Sequence, residues 1–225
     1  MRSLPDVVVF DVNETLSNME PLRARFVDVG LPAAALDAWF AGVLRDGFAL
    51  AASGDARTFR DVAAGNLRLT LEAASLGDRT VDDAVAHVLS GFADLDVHPD
   101  VPDGMRALVD SGRRLLTLTN GASAMSEPMF ARAGVLDLLE HRLSVEDAGR
   151  WKPAAEPYHY AAAVCEVEPS SMVLVAVHPW DVHGAQRAGL VGAWLNRGGT
   201  PYPEYLPSPD IEVSYLGELA GMVAG

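Results

Sequence analysis

One cysteine, Cys165, stands alone in 225 residues, so no disulfide can close within the chain. That fits a reducing compartment, because lasting disulfides belong to oxidising ones. Positive charge is scarce as well: 17 Lys and Arg face 31 Asp and Glu, a formal net charge of −14. Such a surface repels phosphate backbones, so nucleic acid is not an expected partner, although a local basic pocket can still attract a small anion. No apolar run approaches the roughly 18 residues of a membrane span. The first residues hold too short an apolar stretch for a secretory signal. No repeat or low-complexity tract is visible. These absences lead us to expect a cytoplasmic protein with no membrane and no nucleic acid among its partners. What is abundant is apolar: 49% of residues are hydrophobic, enough for a sizeable core. At about 150 residues per domain, the length suits one large domain, or one domain carrying an insert.

Asp6 to Phe10 is a β-branched apolar run, as expected of a strand buried on both faces, and it ends at Asp11. From about 20 to 92 the pattern turns helical, with apolar residues at Leu36, Trp39, Phe40, Val43, Leu44 and Phe48. This stretch predicts four helices and no strand. The acidic, proline-bearing stretch 94–103 reads as a return linker. Helix and strand patterns then alternate. Helices are predicted over 101–111, 123–133, 154–167 and 181–188. Strands are predicted over 115–119, 143–145, 172–177, 191–195 and 211–215. The alternation predicts the α/β class: a Rossmann-like parallel sheet core over 1–17 and 97–225, with a helical block over 18–96 inserted after the first strand. Ligands in such sheets bind beyond the carboxyl ends of the strands, so functional residues are sought just after each apolar run.

Four places satisfy that rule. Asp11 follows the first run, with Asn13 and Thr15 in the same turn. Thr119-Asn120-Gly121 follows the second. Lys152 lies in the loop Gly149-Arg150-Trp151-Lys152-Pro153. His178-Pro179-Trp180-Asp181 follows the run ending at Val177. Taken singly each has a plain structural explanation, as a turn, a helix cap or a solvated surface group. Their order and joint placement on one rim favour a shared site.

In that order the sequence resembles the haloacid dehalogenase superfamily of hydrolases. Within it, the chain is most similar to the L-2-haloacid dehalogenase branch. Thr119-Asn120-Gly121, Lys152-Pro153 followed by Tyr158, and Trp180-Asp181-x-x-Gly184-Ala185 carry that similarity. The resemblance implies a helical cap over 18–96, a small organic acid as substrate, and a catalytic set of Asp11, Thr15, Thr119, Lys152 and Asp181. Asp11 would form a covalent ester, Lys152 would hold it ionised, and Asp181 would activate the water that cleaves the ester. Asn13, Asn120, Phe40, Tyr158, His178 and Trp180 are expected to contact substrate.

Several residues depart from the family pattern. Asn13 stands where related phosphatases carry a second Asp and where the dehalogenases usually carry Tyr. Phe40 follows Trp39 where the dehalogenases carry a halide-binding Arg, leaving Arg23, Arg25 and Arg45 as candidate replacements. Ala176-Val177-His178 replaces Ser-Ser-Asn. His178 is a poor ligand for a hard cation, so no cofactor is expected. A weakened Mg²⁺ site on Asp11 and Asp181 belongs to the alternative reading, a small-molecule phosphatase. A non-catalytic binding protein on the same scaffold is a third reading, opposed by the cost of burying an idle charged triad. The proline-rich tail 198–209 is either a rigid surface loop or a contact within a homodimer.

Overall fold

The computed structural model describes residues 4–72, 74 and 76–222. Six strands form one parallel sheet: β1 (Val7–Phe10), β2 (Arg114–Thr119), β3 (Leu139–Ser144), β4 (Met172–Ala176), β5 (Val191–Leu195) and β6 (Ile211–Val213), in the order β3-β2-β1-β4-β5-β6. β1 is central, with Val9 opposite both Leu116 and Leu174. Its four residues are all buried, as the unbroken apolar run requires. Alternation along the strand divides the core. Val8 and Phe10 join one apolar cluster, while Val7 and Val9 join the other, beneath Tyr158 and Val182.

Four helices lie between β1 and the next core helix: α1 (Leu22–Asp28), α2 (Ala35–Ser53), α3 (Phe59–Leu71) and α4 (Val81–Ser90). Thr58 and Thr80 cap α3 and α4, accepting from Asp61 N and Asp83 N at 3.1 Å each. The outgoing and returning strands of chain run together: Asn18 N donates to Asp96 O at 2.8 Å and His98 N to Leu16 O at 2.9 Å. At Gly47 on α2, an added Cβ would lie 2.2 Å from the Trp151 ring. Only glycine permits that approach, and it seats α2 on the loop that carries Lys152.

The rest of the core comprises α5 (Val101–Asp110), α6 (Glu127–Arg132), α7 (Val145–Ala148), α8 (Ala155–Val164), α9 (Pro179–Arg187) and α10 (Leu216–Gly221). Three local expectations need correction. The helix expected over 123–133 is a 3₁₀ turn, Ser123–Met125, followed by α6. Pro128 has no N–H to continue the earlier turn, but it fits the first turn of a new helix. The strand expected over 143–145 begins at Leu139 and ends at Ser144. Its exposed Glu140 and half-buried His141 and Arg142 hid an edge strand from a search for apolar runs. The terminal helix α10 was not anticipated. It is held by α5, where a Cβ on Gly104 would come within 2.4 Å of Leu216 Cβ.

Candidate active site

Lys152 is the one lysine of the chain, and it is completely buried. Its Nζ donates to Asp11 Oδ1 at 2.9 Å and to Asp181 Oδ2 at 2.6 Å. Asp11 follows β1 and Asp181 sits in the first turn of α9, after β4. Neighbouring parallel strands therefore bring them together across 170 residues of sequence. The other oxygens are also engaged. Thr15 accepts from Val177 N at 3.1 Å and donates to Asp11 Oδ2 at 2.7 Å. Tyr158 donates to Asp181 Oδ1 at 2.6 Å. Gly184 makes room for that phenol: a Cβ there would stand 2.7 Å from the Tyr158 oxygen. The Gly of the Trp-Asp-x-x-Gly-Ala run thus has a steric reason.

The two carboxyls respond differently to one ammonium. Burial pushes Asp11 up, but Lys152, His178 and the Thr15 hydroxyl outweigh it and hold the group below its ordinary value. Burial also pushes Asp181 up, and here Lys152 and Tyr158 do not fully compensate, so it stays above the ordinary value. Burial opposes the charge on Lys152, yet the two carboxylates hold its pKa above the usual lysine value. Tyr158 is raised well above the phenol range, first by burial and then by Asp181, and so remains a donor.

The loop after Asp11 is pinned from outside. His178 Nε2 lies 3.2 Å from Asn13 O, and His98 Nε2 lies 3.0 Å from Glu14 O. Arg197 donates to Thr15 O from Nε at 3.3 Å and Nη2 at 3.1 Å. Three successive carbonyls are therefore bound by side chains from distant segments. They hold Glu14 at φ 62°, a left-handed conformation uncommon outside glycine. Asp100 anchors Arg197 at 2.7 Å. The strand-end rule should have found Arg197, since it follows the apolar run of β5. Nothing local in the sequence marks His98.

Thr119 and Asn120 reach the same rim from β2. Asn120 Oδ1 accepts from Lys152 N at 2.9 Å, so this amide fixes the lysine loop. Thr119 Oγ1 accepts from Gly121 N at 3.0 Å. Trp151 and Arg150 tie the lysine loop to the helical segment, donating to Arg57 O at 2.8 Å and Ala51 O at 2.6 Å. Phe40, His178 and Trp180 form an aromatic wall. His178 is stacked on Trp180 at 5.1 Å, and Phe40 is 6.3 Å from His178. His178 Nε2 is 3.7 Å from Asp11 Oδ2 and 3.6 Å from Glu14 Oε2.

The candidate arginines are engaged elsewhere. Arg23 pairs with Glu20 and Asp37, Arg25 with Asp94, and Arg45 with Asp46. The sequence reading passed over Arg60, in the first turn of α3, which lines a mostly apolar chamber that also meets Asn13 and Thr119. A solvated Arg in a helix has no sequence signature of its own.

Among the described residues, no cluster of three or more His, Cys, Asp or Glu is arranged to hold a metal ion. All four carboxyl oxygens of Asp11 and Asp181 accept from Lys152, Thr15 or Tyr158.

A family model described as haloacid dehalogenase-like hydrolase matches residues 5–189. The chain is 32% identical over 117 residues to an (S)-2-haloacid dehalogenase of Pseudomonas sp. (strain YL), covering 52% of this chain and 50% of that protein. It is 33% identical over 130 residues to a plasmid phosphoglycolate phosphatase of Cupriavidus necator, covering 55% of this chain and 56% of that protein. The match thus spans about half the length of these curated relatives. Among solved structures, an L-2-haloacid dehalogenase superposes with a TM-score of 0.89 at 26% identity, covering 100% of both chains.

Proposed function

The chain belongs to the haloacid dehalogenase-like hydrolases, and from that premise we propose that it displaces a leaving group from the second carbon of a small organic acid through an ester on Asp11, without a metal. The bridge from Lys152 Nζ to Asp11 and Asp181 carries this reading. It keeps Asp11 ionised in a site where burial would otherwise neutralise it. In the first step an Asp11 oxygen attacks carbon, and the electrons of the broken carbon–halogen bond leave with the halide. No proton is needed. In the second step Asp181 takes a proton from water as the water oxygen adds to Asp11 Cγ. The Cγ–O ester bond then breaks, Asp181 returns its proton to the departing oxygen, and the hydroxy acid leaves with the former Asp11 oxygen. An acid whose pKa is raised is better matched to that task than an ordinary carboxylate. Residues 18–96 form the cap that covers this site.

Heavy-oxygen water tests the scheme. In a single turnover with excess enzyme, the label is expected in the peptide that carries Asp11, and halide release is expected to survive EDTA. Label in the product alone would mean that water attacks the substrate directly. The identity with a phosphoglycolate phosphatase makes phosphate monoesters the necessary comparison. Phosphate release that requires Mg²⁺ would replace the dehalogenase reading, though Asn13 leaves no second Asp to protonate an alkoxide.

Tyr158→Phe provides a second check. The phenol favours the ionised form of Asp181, so its loss moves that carboxyl further up. The acid limb of the kcat profile should then shift to higher pH. Stability should fall by about 1.5–3 kcal/mol for a lost hydrogen bond to a charged group. An unmoved acid limb would remove Asp181 from the base role.

A further inference from the structure

A chamber opens beside Asn13 and Thr119, at the edge of the catalytic rim. It is partly open to solvent, and its lining is mostly apolar. Its floor is made by the loops that follow β1 and β2. Its walls are apolar, among them Leu89, Phe92, Met125 and Met129. Phe59 marks the junction with the catalytic rim: it stacks at 5.9 Å on Trp151, the neighbour of Lys152, and a Cβ on Gly121 would touch it at 4.0 Å. The lining includes one charged side chain, Arg60. Among the described residues Arg60 makes no hydrogen bond or ion pair, in contrast to Arg23, Arg25 and Arg45. An unpaired guanidinium at an apolar chamber suits an anion with an apolar body.

We propose that the substrate is a carboxylic acid with a medium-length alkyl chain or an aryl group on its second carbon, its body in this chamber and its carboxylate met by Arg60. The inference deepens the dehalogenase reading and rests on it for the reaction, but the binding half can be measured separately. Asn13 contributes to the room at the floor, because its side chain is short and its backbone is turned by the pinned loop. Phe40 and His178 are not among the residues that line the chamber, whereas Met125 and Met129 are.

Octanoate and propionate have no leaving group, so wild-type protein can be titrated with each by calorimetry. Burying a methylene is worth roughly a fourfold gain in affinity, so octanoate is expected to bind at least about tenfold more tightly than propionate. Octanol should bind more weakly than octanoate. Arg60→Gln should weaken octanoate by about fivefold, the scale of a partly exposed ion pair. Ala122→Leu, which fills the chamber from its floor, should erase the chain-length preference. Equal affinity for octanoate and propionate overturns the chamber, and equal affinity for octanol and octanoate overturns the role of Arg60. Turnover of 2-bromooctanoate and 2-chloropropionate is then compared. Tight octanoate binding with no halide released from either acid leaves the chamber standing and removes the dehalogenase chemistry. Efficient release from 2-chloropropionate without any preference for the longer acid does the reverse.

Discussion

Replacing Lys152 by Met is expected to abolish turnover and to lower stability at neutral pH by about 3–5 kcal/mol, the usual cost of stripping a buried ion of its partner. At about 2–4 °C per kcal/mol for a chain of this size, the melting temperature should fall by roughly 10 °C. The deficit should depend on pH in a particular direction. Lys152 has its folded pKa raised, so its stabilisation is complete below the unfolded value and is lost only as pH climbs through the folded one. In the variant, Asp181 loses its main countercharge and rises further. The folded state then keeps a proton that the unfolded chain releases. Stability therefore falls as pH rises from the unfolded carboxyl value toward the folded one, and the deficit shrinks on acidification. Urea unfolding at about pH 5 and about pH 8 separates the two regimes. A variant as stable as wild type at the higher pH would show that Nζ is not the countercharge of this pair.

Asp11→Asn should behave in the opposite way. The amide keeps the shape of the carboxyl, and Lys152 retains Asp181 at 2.6 Å. Removing one of two buried anions that share one cation leaves the cluster neutral, so no large loss of stability is expected. Turnover should fall by about 10⁴-fold or more, because the nucleophile itself is gone. Thermal melts and kinetics on the same preparation check both halves. Residual turnover within about tenfold of wild type would mean that another group attacks the substrate. The pair of variants separates charge balance from chemistry: one loses both fold stability and activity, the other activity alone.

The contrast between Lys152 and Arg197 shows how far sequence reasoning reached into the site. Lys152 was found through its place in a motif, although nothing in Arg150-Trp151-Lys152-Pro153 says that the side chain is buried. Arg197 follows an apolar strand as Asp11 and Asp181 do, yet it drew no attention because its partner is a backbone carbonyl, Thr15 O. The family resemblance implied a substrate contact for Tyr158. The structure places its hydroxyl on Asp181, which depends on the absence of a Cβ at Gly184. Asn120, expected at the substrate, also fixes the lysine loop through its amide.

The sequence by itself determined the layering of this protein. Period-two and period-3.6 patterns record which faces are buried, and burial is a local property of each segment. It therefore determined the parallel sheet, the helical segment after β1, and the rim on which Asp11, Thr119, Lys152 and Asp181 lie. The tertiary structure alone decided the charge economy of that rim. Two carboxyls of the same chemical type diverge: His178 and the Thr15 hydroxyl join Lys152 in holding Asp11 below the ordinary value, whereas burial and the neighbouring Asp11 charge keep Asp181 above it, although it is the nearer to Lys152. It also decided which arginines are paired, since Asp37 and Asp94 engage Arg23 and Arg25, whereas Arg60 makes no ion pair among the described residues. Pairing energies depend on separations of a few ångströms between residues far apart in the chain, and no periodicity encodes them.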